Sequence, residues 1–263
     1  MDLGLKGKCA LVTGSSRGLG YATAMGLAKE GCRVVINSRD DEMVKRAAKQ
    51  IEEDAGRQVW GIAGDVSQPG VPDELVERAA AYLGGIDLLV TNAGGPPLGT
   101  FDSFDDAAWD KAVNTSFLSH VRLIRAALPY LRKSQSPSVL TMTSYTVKQP
   151  PPNLVLSNSV RLATIGLTKT LALELGGQGI RFNSILPATF GTERMKHIQA
   201  FRAEKNGTTP EQEAEKDAAN SPFGRMGRPE EFANAAVFLL SPAASYITGV
   251  MLTIDGGQYK GMM

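Results

Sequence analysis

Cysteine and histidine are scarce in this chain, with two of each among 263 residues. No set of Cys, Asp or Glu at ligand spacing surrounds His120 or His197, so no metal centre is expected. Cys9 falls in an expected buried strand and Cys32 in the turn before the next. Such thiols fill apolar space more often than they pair, which suits a reducing, cytoplasmic setting. Charge of one sign is lacking as well. Twenty-eight Lys and Arg stand against twenty-seven Asp and Glu, a net charge of +1. No basic stripe or acidic tail marks a nucleic-acid or membrane partner. Long apolar runs are missing too, and none approaches the length of a membrane span. Met1-Asp2-Leu3-Gly4 leads almost directly into a strand, and no signal peptide is expected.

What the chain does have is 43% hydrophobic residues, enough for one large core at this length. Apolar, β-branched runs without polar alternation predict strands at Cys9–Thr13, Arg33–Asn37, Val59–Ala63, Leu88–Thr91, Ser138–Thr143, Arg181–Leu186 and Met251–Ile254. Strands of that kind are covered on both faces. Helical patterns alternate with them at Leu19–Glu30, Asp41–Asp54, Pro72–Leu83, Ala107–Arg132, Leu156–Leu175 and Pro229–Leu240. The alternation predicts an α/β fold: a single Rossmann-type, doubly wound parallel sheet with helices on both faces. No repeat, linker or composition shift divides residues 1–263, so one domain is expected.

Two segments break the rhythm. Gln149-Pro150-Pro151-Pro152-Asn153 reads as a stiff, extended connector, because each proline fixes φ and biases its predecessor away from helix. Residues 192–220 are polar, charged and helix-prone but weakly periodic. In a doubly wound fold they sit beyond the carboxyl ends of the strands, where ligands bind, and predict a lid over a pocket. A solvated helical excursion is the other reading of the same composition.

Gly14, Gly18 and Gly20 follow the first strand and open the first helix. Glycines there allow a tight turn and let backbone amides approach a pyrophosphate at the helix N-terminus. The Gly-x-x-x-Gly-x-Gly spacing within Thr13-Gly14-Ser15-Ser16-Arg17-Gly18-Leu19-Gly20 resembles the short-chain dehydrogenase/reductase family. That resemblance makes Gly14, Ser16, Arg17, Gly18, Leu19 and Gly20 a cofactor-binding turn. Gly64-Asp65-Val66 resembles the family's turn after the third strand, where the acidic side chain and the next amide hold the adenine. Thr91-Asn92-Ala93-Gly94-Gly95 is similar to the strand end that lines the ribose and nicotinamide. Asn183 to Thr192 is similar to the segment whose proline and threonine, here Pro187 and Thr192, meet the nicotinamide carboxamide. Gly227 to Glu231, and Ser245 to Gly249 with Asp255-Gly256-Gly257, resemble the family's last helix and strand. In relatives that strand packs at a tetramer interface, so a homo-oligomer, a tetramer, is expected.

The end of the second strand bears on which dinucleotide binds. A carboxylate there would accept the ribose 2′-hydroxyl of NAD and repel a 2′-phosphate. Asn37-Ser38-Arg39 stands there instead, with a second guanidinium at Arg17. Two guanidiniums and a hydroxyl suit a phosphate, favouring NADP(H) over NAD(H). Asp40 and Asp41 lie near enough in sequence to neutralise Arg39, and both arginines as plain solvated surface is the competing interpretation.

The resemblance also implies a catalytic set: a tyrosine as proton donor, a lysine four residues later, a serine one strand earlier and an asparagine in the long central helix. Register on Thr164-Ile165-Gly166-Leu167-Thr168-Lys169 places Ser157 at the tyrosine position and Arg161 at the lysine position. Ser144 falls on the serine position, and Ser116 on that of the asparagine. Ser157 and Arg161, four apart, share a helix face. A serine hydroxyl is a far weaker acid than a phenol, and a guanidinium passes no proton. Tyr145 and Lys148, just past Ser144, offer a displaced acid and cation; packing under the loop and plain solvation are their alternative. Ser144, Arg161, Tyr145 and Lys148 are therefore the catalytic candidates.

The resemblance implies an NADP(H)-dependent oxidoreductase for a carbonyl or hydroxyl substrate, a small molecule or acyl thioester, similar to 3-oxoacyl-carrier-protein reductases. The competing expectation is a catalytically impaired dinucleotide-binding sensor or scaffold.

Overall fold

The computed structural model describes residues 1–262. Seven parallel strands form one sheet in the order β3-β2-β1-β4-β5-β6-β7. They are β1 (Cys9–Val12), β2 (Arg33–Ser38), β3 (Val59–Ala63), β4 (Leu88–Thr91), β5 (Ser138–Met142), β6 (Arg181–Pro187) and β7 (Met251–Ile254). Strand bounds depart from the sequence expectation by one residue at most, because continuous apolar runs mark strands buried on both faces.

Side chains of successive strand residues enter opposite layers. Ala10, Val12, Val34, Ile36, Leu88, Val90, Leu140 and Met142 pack in one core, and Leu11, Val35, Leu89 and Val139 in the other. The first is covered by α1 (Gly18–Lys29), α2 (Asp41–Ala55) and α9 (Pro229–Leu240). The second is covered by α3 (Val71–Leu83) and α5 (Ser119–Leu131), with α6 (Val155–Leu175) adding Ala172. The strand order reverses direction between β1 and β4. A crevice must open at that switch point, beyond the strands' carboxyl ends.

The long central helix is not one uniform element, as its sequence pattern had implied. It runs as α4 (Asp106–Val113), then a wide π turn at Asn114–Leu118, then α5. In the wide turn the Ser119 amide donates to the Asn114 carbonyl, five residues back. Thr164 Oγ1 on α6 donates to the Ser116 carbonyl at 2.8 Å. Wide turns of this type recur at functional sites.

Residues 192–220, weakly periodic in sequence, fold as α7 (Glu193–Asn206) and α8 (Pro210–Ala219). Thr192 caps α7 by accepting from Met195 N, and Thr209 caps α8 in a reciprocal box with Gln212. The hydrophobic pattern is weak because these helices are joined partly by polar contacts. Asp217 Oδ2 accepts from Gln199 Nε2 at 2.9 Å and Oδ1 from Arg202 Nη1 at 2.7 Å. No helix among the described residues is long and apolar enough to cross a membrane.

Candidate active site

A cleft of about 1680 Å³ lies along the carboxyl ends of the strands. Its first wall is the glycine turn. Gly14 (φ +58°) and Gly18 (φ +62°) occupy the left-handed region that favours glycine. A Cβ at Gly14 would meet the Asn92 carbonyl oxygen at 2.8 Å, and one at Gly20 would run into the Gly14 carbonyl. Asn92 locks this approach: its Nδ2 donates to Gly14 O (2.9 Å), while its backbone exchanges hydrogen bonds with Thr13 Oγ1. The N-cap residue of α1, Arg17, makes no side-chain capping bond. The first amides of α1 thus keep donors for a bound anion. This bare backbone cradle fits a dinucleotide pyrophosphate.

Ser16, Leu19, Ser38, Asp65, Val66, Ala93, Gly94, Pro187 and Thr192 line the same cleft, as do Arg17 and Arg39. Asn37, at the end of β2, serves the scaffold. Its Nδ2 donates to Ile62 O and Gly64 O, fixing the turn that carries Asp65. Asp65 Oδ1 accepts from Ser67 N and Ser67 Oγ. The two acids that would have neutralised Arg39 are engaged elsewhere. Asp40 Oδ1 caps α2 through Met43 N, and Asp41 pairs with Lys45 at 2.6 Å. Arg17 and Arg39 have no ion-pair partner among the described residues.

The other end of the cleft is built from β5 and the turn after it. Ser144 follows β5, and its Oγ accepts from Thr146 N at 3.3 Å. Tyr145 lines the cleft beside it. Burial raises the Tyr145 phenol above its ordinary pKa; the Arg202 charge opposes this, and Asp217 and Asp255 add to it. Arg161 Nε donates to Ser157 Oγ at 3.2 Å, and Nη1 to the Thr143 and Met142 carbonyls at 3.2 and 3.4 Å. The arginine therefore braces the end of β5 from α6. Burial first, then the Arg194 charge, hold its pKa down to about 10, so it remains a cation at neutral pH.

Lys148 does not join this group. Its ammonium lies over the Tyr259 ring, 5.3 Å from the centroid, and it is not among the cleft-lining residues. The expected displaced pair is corrected on this point: the cation–π seat, from a residue far along the chain, draws the lysine away. The cation whose charge acts on the Tyr145 phenol is Arg202. Ser116 is buried, and its Oγ has no hydrogen-bond partner among the described residues. His120, also buried, shares a 2.7 Å hydrogen bond with Thr91 Oγ1. Burial, then Arg161, push its pKa down to about 3.

Several cleft residues escaped sequence reasoning. Arg194, in the first turn of α7, donates from Nη2 to Pro96 O at 2.9 Å and crosses over Gly95. Lys205 donates to Asn153 Oδ1 at 2.7 Å, pinning the proline connector at a residue with φ +60°. Arg202 and Asp217 come from two different helices, so no single spacing announces them.

A family model described as enoyl-(acyl carrier protein) reductase matches residues 14–258. The chain belongs to the short-chain dehydrogenase/reductase family. The chain is 32% identical over 256 residues to 7alpha-hydroxysteroid dehydrogenase of Escherichia coli, covering 97% of this chain and 96% of that one. It is 34% identical to dehydrogenase/reductase SDR family member 4 of Sus scrofa, covering 96% and 88%. L-sorbose reductase of Gluconobacter frateurii, solved with NADPH and L-sorbose, matches with TM-score 0.94 at 33% identity over 100% of both chains. The chain is thus a short-chain oxidoreductase by descent, with the family's α/β architecture.

Proposed function

We propose that the protein is an NADP(H)-dependent oxidoreductase that interconverts a ketone and an alcohol, similar to reductases of 3-oxoacyl compounds. One observation carries the proposal. A single cleft joins two unpaired guanidiniums, Arg17 and Arg39, to the Ser144–Tyr145 hydroxyl pair at its far end. The guanidiniums, with Ser38, would hold a 2′-phosphate. The bare glycine turn would take the pyrophosphate, and Asp65 with Val66 N the adenine. Asn92, Ala93, Gly94, Pro187 and Thr192 would bed the remainder. NADPH is also the cofactor bound in the L-sorbose reductase structure.

When bound, the nicotinamide supplies or accepts a hydride. The chain's own residues handle the proton and the oxygen. Ser144 donates a hydrogen bond to the substrate oxygen, since its hydroxyl hydrogen has no acceptor among the described residues. Tyr145 gives the proton from its phenol in the reducing direction; burial keeps it protonated until then. Arg161 supports developing negative charge without transferring a proton. Helices α7 and α8 form the lid that excludes water.

The test is NADPH oxidation by purified protein with a panel of ketones, aldehydes and 3-oxoacyl thioesters. Turnover with NADPH, and much less with NADH, supports the proposal. Tight NADPH binding with no turnover on any carbonyl points to a sensor or scaffold instead. A homo-oligomer is part of the same proposal. The edge strand β7 carries Met251 at 42% exposure, and α6 exposes Leu173 at 74%. Light scattering that reports a monomer at micromolar concentration overturns that part.

A further inference from the structure

Eight basic but only four acidic side chains line the cleft, in a chain whose net charge is +1. The four carboxylates are already engaged. Asp40 caps α2, Asp65 holds Ser67, Glu193 pairs with Lys196, and Asp217 holds Gln199 and Arg202. Of the eight cations only Arg202 is ion-paired to a carboxylate of the cleft, Asp217, so a net positive field remains there. A 2′-phosphate accounts for Arg17 and Arg39 but not for the cations around Ser144.

Two of these are notable for what they lack. Arg161 bonds only to a serine hydroxyl and two backbone carbonyls, and Arg194 only to the Pro96 carbonyl. Neither has a carboxylate partner among the described residues, although burial depresses the pKa of both. A desolvated guanidinium without a counter-ion is costly unless a ligand supplies the charge. Arg161 Nη1 sits 3.2 Å from the Thr143 carbonyl, one residue before Ser144. The Arg194 charge acts on Arg161, and both guanidiniums line the same cleft as Ser144 and Tyr145.

We propose that the substrate is an oxo acid, a ketone whose free carboxylate lies one or two carbons from the carbonyl. Arg161 and Arg194 clamp the carboxylate while Ser144 and Tyr145 take the ketone oxygen. This rests on the ketone–alcohol function above and names its substrates as free 2-oxo or 3-oxo acids rather than 3-oxoacyl thioesters. It also gives a role to an arginine at a position where the family resemblance calls for lysine: the planar guanidinium fork matches a carboxylate. Reduction adds a hydride from NADPH to the carbonyl carbon and a proton to its oxygen, leaving a hydroxy acid with the carboxylate unchanged.

The experiment compares 2-oxo and 3-oxo acids with their methyl esters, in wild type and in Arg161→Gln and Arg194→Gln. NADPH oxidation is followed alongside NADPH affinity by fluorescence titration. The expected result is a kcat/KM for acids roughly 10- to 100-fold above that for esters. Arg194→Gln should remove most of that preference while leaving ester turnover and NADPH affinity within a few-fold. Equal rates on acid and ester overturn the proposal. So does a loss of NADPH affinity in Arg194→Gln that matches the loss of rate, since that guanidinium then serves the cofactor's phosphates. A binding arm separates the two levels of the proposal: thermal melts with NADP⁺ and a matched hydroxy acid or its ester. Acid-specific stabilisation of wild type, lost in both variants, supports the carboxylate clamp even where no carbonyl turns over. Turnover of esters without any acid preference leaves the oxidoreductase standing and removes the clamp.

Discussion

The Lys148 ammonium rests over the Tyr259 ring, 5.3 Å from its centroid, while Tyr145 turns into the cleft. Lys260 N donates to Gln149 Oε1 at 3.2 Å, so the C-terminal segment binds the connector right after the lysine. The phenol thus stands in the cleft without the ammonium that lies near it in sequence. Tyr145→Phe is expected to lower kcat by about 10²–10⁴-fold, whereas Lys148→Ala stays within a few-fold of wild type. Steady-state rates on the best ketone check this. A Phe variant with wild-type kcat moves the proton donor to another group.

Cofactor choice follows from the engaged acids. Arg39→Ala should weaken NADPH roughly 10- to 100-fold and leave NADH nearly unchanged, the loss expected for a charge-assisted phosphate contact. Calorimetric titration of both cofactors reads it directly. Equal wild-type affinity for NADPH and NADH would falsify the assignment.

His120 predicts an acid limb of stability. Its folded pKa is pushed down to about 3 from an ordinary 6.5. Between those values the unfolded chain binds a proton that the folded chain refuses. Stability therefore rises with pH across that window and is lost as pH falls below about 6.5. The slope from this one group approaches about 1.4 kcal/mol per pH unit. His120→Gln, which keeps an amide able to bond Thr91 Oγ1, should flatten the melting temperature between pH 6.5 and 4. An unchanged slope assigns the acid sensitivity to other groups.

Asp217 is one of two buried carboxylates, with Glu213, that tie α8 to α7 and the turn between them. Asp217→Ala removes the acceptor shared by Gln199 and Arg202, at a cost of about 1–3 kcal/mol to local stability. Amide exchange should quicken across residues 193–219 while the sheet stays protected. Global loss of protection would mean that the two helices do not open as a separate unit.

The sheet was legible because its central strands are buried on both faces, so no polar alternation interrupts runs such as Leu88–Thr91. The glycine turn was legible because its geometry is local: Gly14, Gly18 and Gly20 must bend the backbone within a few residues. Arg17, in that turn, and Arg39, at the end of β2, line the cleft that the same local reading pointed to. What lay hidden depends on packing across the chain. Arg194 gains meaning only when α7 lays it over Gly95 and Pro96. Lys148 carried a misleading local signal, since nothing within its own loop reveals a ring more than a hundred residues away. The wide turn in the central helix left no mark either, because an added residue alters phase without altering composition.

That extra residue has a geometric consequence. One additional residue in a helix rotates everything after it by about 100°. Before the turn, Ala112 faces Leu156 and Val160 on α6. After it, Leu123, Ile124, Ala127 and Leu131 face the sheet. A single helical rod thus addresses two partners from two azimuths, its halves offset like the throws of a crankshaft. Removing one residue between Asn114 and Leu118 would turn the apolar stripe of α5 away from the sheet and unseat His120 from Thr91.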